Sequence, residues 1–436
     1  MQSLWSSTAA KPCYETLTKD EKTGVLIIGG GMAGILCAYL LQQAGISYML
    51  VEANTIGSGI TKNTTAKITS QHGLIYDRLL HSIGIEKTRL YLESNELAIS
   101  QFEKICEANE CEFEKKSSYV YTVKDRNKII QELKALEKIN YNAKFCTQLP
   151  LPIAHVGAVR FENQAQFHPL MFLYQIAEGL NIYEHTMVKD IEGHKVITDH
   201  GTIHADQIIV TTHFPIFNKH GSYFIKMYQH RSYVIALENA PNVDGMYVDE
   251  AMTGMSFRNY KNLLLIGGGD HRTGKEGGNF EELRRFASRY YPTAKEKYAW
   301  ATQDCMTLDG IPYIGQYSKH TPNLYVATGF NKWGMTSSMI SAMVLVDLVL
   351  NRKNDYADIY SPSRSMMKPQ LFINGWEAVK GMLTPTTKRC PHLGCGLKWN
   401  KVEHTWDCSC HGSRFTKEGE IIDNPAKKPA KKVMKP

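Results

Sequence analysis

The chain has 436 residues, 43% apolar and 21% charged. It is therefore a globular protein long enough for two or three domains, and not a disordered chain, a collagen-like repeat or a small disulfide scaffold. Its net charge is +7, but Lys427, Lys428, Lys431, Lys432 and Lys435 all lie in the last ten residues. The body is nearly neutral, which argues against a nucleic-acid-binding face.

The start, MQSLWSSTAAKPCYETLTKDEK, has no apolar signal core and no twin arginine, so a cytoplasmic location is expected. Of the ten cysteines, Cys13, Cys37, Cys106, Cys111, Cys146 and Cys305 are scattered and are expected to be reduced thiols. The other four crowd between Cys390 and Cys410 and point to a metal or cofactor site. Gly24 to Leu41 is an uncharged run, but Gly29, Gly30 and Gly31 would break a spanning helix at its middle, so no transmembrane segment is expected. The run reads instead as a buried parallel strand (Val25 to Ile28), a glycine turn and a helix (Met32 to Ala44) stopped by Gly45. A second strand, Ser47 to Val51, closes on Glu52.

Gly29-x-Gly31-x-x-Gly34 has the form that brings a backbone against a pyrophosphate at a helix N-terminus. Gly29 permits the tight turn, Gly31 the close approach, and Gly34 the packing of helix on strand. Glu52 stands where an acid accepts hydrogen bonds from ribose hydroxyls. The motif does not by itself separate NAD from FAD. The residues that follow, Ala53, Gly59, Thr61, Thr64, Thr65 and Ala66, resemble the second flavin-contacting loop of the D-amino-acid oxidase-like FAD enzymes. Met187-Val188 falls where that family's backbone holds the adenine, and Ile208 to Thr211 resembles its returning strand. Gly329, Gly334, Met335 and Thr336 resemble its closing motif, a glycine turn and helix N-terminus facing the flavin ring. The resemblance covers about residues 20–350 and implies FAD and a small-molecule substrate, with an amine or amino acid the leading class.

Residues 73–150 carry helical periodicity, and 220–320 are rich in strand patterns. In the family such pieces form a substrate domain. His72, just after the second flavin loop, is a candidate to face the ring. Arg231 and Arg258 are candidates to bind a substrate carboxylate bidentately. A structural role is an equally open reading for each of the three. Asp309 reads as a turn former.

Residues 351–365 are charged and turn-rich, as in a linker. Cys390-x-His392 is then followed, after fifteen residues, by Cys408-x-x-His411. Two thiolates and two imidazoles suit tetrahedral zinc or a Rieske [2Fe–2S] centre. CPHLGC followed by WDCSCHGSRF resembles the Rieske double-loop signature. On that resemblance Cys390 and Cys408 bind one iron and His392 and His411 the other, a Cys395–Cys410 disulfide ties the loops, and Ser413 and Phe415 hydrogen-bond and shield the cluster. Little chain precedes Cys390 for the usual leading strands, so an abbreviated domain leaning on its neighbour is expected. The lysine-rich tail is expected to be a solvated end.

The expected architecture is α/β. A Rossmann-type FAD-binding domain (about 20–75, 150–215 and 320–352) is interleaved with an α+β substrate domain (about 76–149 and 216–319). A linker (353–387), a small all-β Rieske-like domain (388–425) and a basic tail (426–436) follow. The expected function is a flavin-dependent oxidoreductase whose electrons pass between FAD and the cluster to or from a one-electron carrier protein. Two alternatives stay open: an oxygen-using amine oxidase with a structural Cys/His clip, and a non-catalytic redox sensor. The sequence gives no oligomeric state.

Overall fold

The computed structural model describes residues 2–217, 220–386 and 388–430. Val25 to Ile28 form the buried end of the strand Glu21–Ile28. That strand lies inside an eight-stranded sheet, between parallel neighbours Thr202–Val210 and Tyr48–Val51. Leu26 is opposite Ile208 and Met49, and Ile27 is opposite Ile209 and Leu50. A strand flanked and covered on every side has no place for a polar side chain, which is why the run is wholly apolar. Leu324–Thr328 continues the sheet in parallel beyond Thr202–Val210. The helices Met32–Gln43 and Gly334–Val349 pack together and are buried around most of their circumference. Among the described residues no helix is long and apolar enough to cross a membrane.

A second sheet of nine strands is built mainly from 114–166 and 227–307. Met227–Glu238 lies between antiparallel Lys295–Thr307 and Leu263–Arg272. Two assignments made from the sequence change here. Gly157–Gln166, read as part of the FAD-binding domain, pairs with Glu114–Thr122 in the second sheet. Tyr313–Gln316, read as substrate domain, pairs with Leu324–Thr328 in the first. Strand pattern reveals burial but not the partner, and these partners are set by pairing between distant segments. The helices Tyr76–Ile83, Ile85–Glu107 and Arg126–Lys138 meet the expectation for 73–150. Cys106 and Cys111, expected as separate thiols, are disulfide-bonded where the chain turns after Glu107 and brings their Cα atoms to 6.0 Å.

The C-terminal part is a four-stranded antiparallel sheet of Leu397–Asn400, Thr405–Cys408, Arg414–Phe415 and Ile421–Asp423. The segment before it is no loose linker. Arg364 donates through Nε and Nη2 to Asp309, 2.8 Å each, and its guanidinium lies 4.0 Å from the ring centre of Tyr313. Asp309 also accepts the Ile311 N–H at 3.2 Å, the turn role expected of it. The helix Pro369–Leu383 then returns the chain to the cysteine loops. The tail's first residues are held too. Ala426 and Ala430 are buried, and the Ala430 N–H donates to the Gly419 carbonyl at 2.8 Å. Residues 431–436 lie outside the described residues.

Candidate functional site

A cavity of about 1380 Å³ extends from the glycine turn after the first strand to the C-terminal sheet. The turn is shaped to admit a phosphate. Gly29 has φ +113°, and a Cβ on Gly34 would stand 1.9 Å from the Gly29 carbonyl oxygen, so helix and strand meet only if that residue is glycine. Gly31 is the N-cap of the helix and brings no capping side chain. The Thr61 hydroxyl accepts the Met32 N–H at 3.1 Å. Glu52 accepts the N–H of Gly30 at 2.7 Å and of Asn54 at 2.8 Å, leaving its remaining lone pairs for the cavity. Burial raises its pKa.

Gly29, Gly31, Glu52, Ala53, Gly59, Thr61, Thr64, Thr65, Val188, Thr211, Gly334 and Met335 all line the cavity. Gly34, Ala66, Gly329 and Thr336 do not, and they support it from behind. The Ala66 carbonyl accepts from Arg258 Nη1 at 2.8 Å, and the Thr336 hydroxyl meets His72 Nε2 at 3.1 Å. Two tryptophans hold the second loop by its carbonyls. Trp5 Nε1 donates to Thr64 at 2.7 Å and Trp300 Nε1 to Asn63 at 2.9 Å. The open glycine cradle, the helix N-terminus and the cavity's size together fit FAD.

The three candidates for the reacting centre fall out differently. His72 lines the cavity, yet both nitrogens are engaged: Nδ1 with the Tyr91 hydroxyl at 2.7 Å, Nε2 with the Thr69 carbonyl at 2.8 Å. It stacks on Trp333 at 5.0 Å between centroids, and burial lowers its pKa to about 3. Arg231 also borders the cavity, but its guanidinium is committed to Glu403, with Nε to Oε1 at 3.0 Å and Nη2 to Oε2. Arg258 is not in the cavity wall at all. It is buried under the second flavin loop, 5.3 Å from the Trp5 ring. Arg231 thus spends its guanidinium on Glu403, whereas Arg258 engages only Nη1, and its buried Nε and Nη2 have no hydrogen-bond partner.

In the C-terminal part, Cys390, Cys408 and His411 are buried and His392 is half-buried. The Nδ1 atoms of His392 and His411 face one another at 3.3 Å. Burial lowers both rings, to about 4 and about 3, and so keeps them in the neutral form that binds metal. The Cys390 and Cys408 thiols are hydrogen-bonded, which draws Cys390 below its ordinary pKa and pushes Cys408 above. Cys395 and Cys410 form the disulfide that the signature implies. Their sulfurs lie within 4.8 Å of Cys408 Sγ, but a disulfide sulfur has no thiolate to offer a metal. The Ser413 hydroxyl bonds Cys390, and Phe415 is fully buried among the cysteines. Two thiols on one side and two neutral imidazoles on the other fit a [2Fe–2S] cluster of mixed ligation.

The sequence model of the FAD-dependent oxidoreductases matches residues 24–348. The chain belongs to that family. The sequence model of the Rieske [2Fe–2S] domain matches residues 352–434. A Bacillus subtilis (strain 168) protein provisionally named Rieske 2Fe-2S iron-sulfur protein YhfW is 35% identical over an alignment of 497 residues, covering 99% of this chain and 97% of that one. The cytochrome b6-f complex iron-sulfur subunit 2 of Nostoc sp. (strain PCC 7120) is 42% identical over 56 residues, 12% of this chain and 32% of its own. Among solved structures, glycine oxidase from Geobacillus kaustophilus superposes with TM-score 0.67 at 19% identity, covering 79% of this chain and 99% of its own. L-amino acid deaminase from Proteus vulgaris gives 0.64 at 15% identity, covering 82% and 100%. The protein is an FAD-dependent oxidoreductase with a Rieske [2Fe–2S] domain.

Several residues of this flavoenzyme carry the join between its cofactor sites without any local signal. Gln229 Nε2 donates to the His411 carbonyl at 2.8 Å, and Gln303 Nε2 to the Gly412 carbonyl at 2.9 Å. Asn424 Nδ2 donates to the carbonyls of Thr212 at 2.6 Å and Phe214 at 3.2 Å. Arg414 Nη2 joins Arg231 on Glu403, at 2.8 Å. Lys67 lines the cavity with its ammonium 3.1 Å from the Thr65 hydroxyl, and burial, with help from Arg258, lowers its pKa to about 7.

Proposed function

We propose that the enzyme oxidises the carbon–nitrogen bond of a small amine or amino acid and delivers the electrons singly, through the cluster, to a one-electron carrier protein. The short link between cavity and cluster carries this reading. Thr211, Thr212 and His213 line the cavity, and the ring of the next residue, Phe214, stands 6.4 Å from that of His392 and 6.5 Å from that of His411. The imidazole side of the cluster site thus faces the flavin fold. When bound, FAD takes two electrons and releases them one at a time, and a [2Fe–2S] centre carries one.

The substrate class follows the amine and amino-acid chemistry named for the fold neighbours. Removing a hydride equivalent and a proton from a CH–NH group leaves an imine, which water hydrolyses. Asp304 borders the cavity, and burial raises its pKa to about 6, so it is the carboxyl suited to hold the departing proton. His72, locked neutral between Tyr91 and Thr69, orients the wall and does not shuttle protons.

The test is anaerobic mixing of the oxidised protein with a panel of amino acids and amines. A substrate should bleach the flavin and then raise the low-temperature EPR signal of a reduced Rieske centre. A bleached flavin beside an EPR-silent cluster, with fast peroxide release in air, would overturn the reading.

A further inference from the structure

The helix Pro369–Leu383 is amphipathic with its faces reversed. Its polar side chains point at the body. Asn374, 5% exposed, donates to the Ile225 carbonyl at 3.2 Å and accepts from Arg272 at 3.1 Å. Glu377 pairs with Lys275 at 2.7 Å. Gly381 packs so close to the loop disulfide that a Cβ would stand 2.4 Å from Cys410 Sγ. The apolar side chains point outward: Phe372 is 67% exposed, Ile373 52%, Trp376 68%, Val379 50%, Met382 48% and Leu383 77%. Their spacing makes one continuous stripe along the helix. A stripe of this kind marks a binding surface.

We propose that this stripe seats the protein on an anionic lipid surface, with the helix lying in the interface plane. Fifteen residues are too few to span a bilayer, which needs about 20, but they suffice to lie in it. The charges fit. The helix's one carboxylate, Glu377, is turned inward, while Lys380 is exposed on the helix. At its C-terminal end the half-exposed Arg389 donates to the Met382 carbonyl at 2.7 Å. Lys417, whose carbonyl accepts from Lys388 beside Arg389, is exposed. Clustered cations next to an apolar stripe attract anionic headgroups. A protein partner would need directional groups, since interfaces carry about ten hydrogen bonds, and of the six stripe side chains only Trp376, through its indole N–H, has one. A second copy would bring the same cations together. The inference is independent of substrate and electron acceptor.

The experiment is cosedimentation of the full-length holoprotein with phosphatidylcholine vesicles, with and without phosphatidylglycerol. The protein should pellet with the anionic vesicles, and added salt should release part of it. Phe372→Ser/Trp376→Ser/Leu383→Ser should lower the bound fraction at least about tenfold while flavin absorbance and the cluster signal stay intact. Lys380→Glu, which leaves the stripe untouched, should weaken pelleting with anionic vesicles alone. A parent protein that stays in the supernatant with both vesicle types overturns the proposal. So does a dimer that the triple variant splits in the absence of lipid binding.

Discussion

Arg231 is 3% exposed and Glu403 10%, so their ion pair is nearly dry, and Arg414, 5% exposed, closes it from the other side. Removing one partner of such a pair leaves a buried charge and costs about 3–5 kcal/mol. Arg231→Ala should therefore lower stability on that scale in a denaturant titration. A substrate-binding arginine would behave differently, raising KM with the unfolding midpoint unchanged. Lys67 gives a pH prediction. Its ammonium titrates near 7 in the folded protein against 10.5 for an ordinary lysine. Between those values the unfolded chain binds more protons, so this residue's contribution to stability rises with pH. The stability difference between the parent and Lys67→Met should accordingly grow in the parent's favour from pH 7 to 10. A flat difference would mean that the ammonium is solvated. At this scale the sequence is legible where chemistry is local. The glycine turn and the Cys-x-His and Cys-x-x-His pairs carry their function in their spacing. Arg231 does not, because Glu403 lies 172 positions away and nothing near Arg231 announces it.

Elements were legible to the extent that their surroundings are uniform. The Val25–Ile28 end of the first strand and most of Met32–Gln43 are buried, and both read from apolar runs alone. Gly157–Gln166 is buried at seven of its ten positions, and burial is silent on which sheet receives it. The junction of the first strand and helix makes a sharp test. A methyl on Gly34 would meet the backbone oxygen of Gly29 at 1.9 Å and the Thr211 hydroxyl at 2.8 Å, and the backbone contact cannot be relieved by rotating a side chain. Gly34→Ala should push the helix off the strand and open the phosphate cradle. Purified protein should then carry little flavin, measured by its absorbance ratio, while the EPR signal of the reduced cluster persists. Flavin content equal to the parent's would show that the helix can slide without loss.

For the whole molecule, the question is whether the flavin fold and the Rieske domain are separable. The sequence hinted at dependence through the short lead into Cys390, and the structure shows where that dependence is placed. Gln229, Gln303 and Arg272 are buried or partly buried on the flavin side and spend their hydrogen bonds on the carbonyls of His411, Gly412 and Ser409. Gly274 lies so close to Ser409 that a Cβ would stand 2.7 Å from its backbone nitrogen. Val402, Glu403, Thr405 and Asn424 form part of the cavity wall itself. Ending the chain at Asn351 would strand those polar groups, expose the ring of Phe214 and open the FAD cavity to water. Each buried polar group left unpaired costs about 1–3 kcal/mol, and several together approach the whole stability of a domain, about 5–15 kcal/mol. The truncated chain should therefore aggregate or purify without flavin, and the full chain should unfold with flavin fluorescence and cluster absorbance changing together. A truncated chain that stays in solution with stoichiometric FAD would show instead that the Rieske domain is an attachment to an independent flavoprotein.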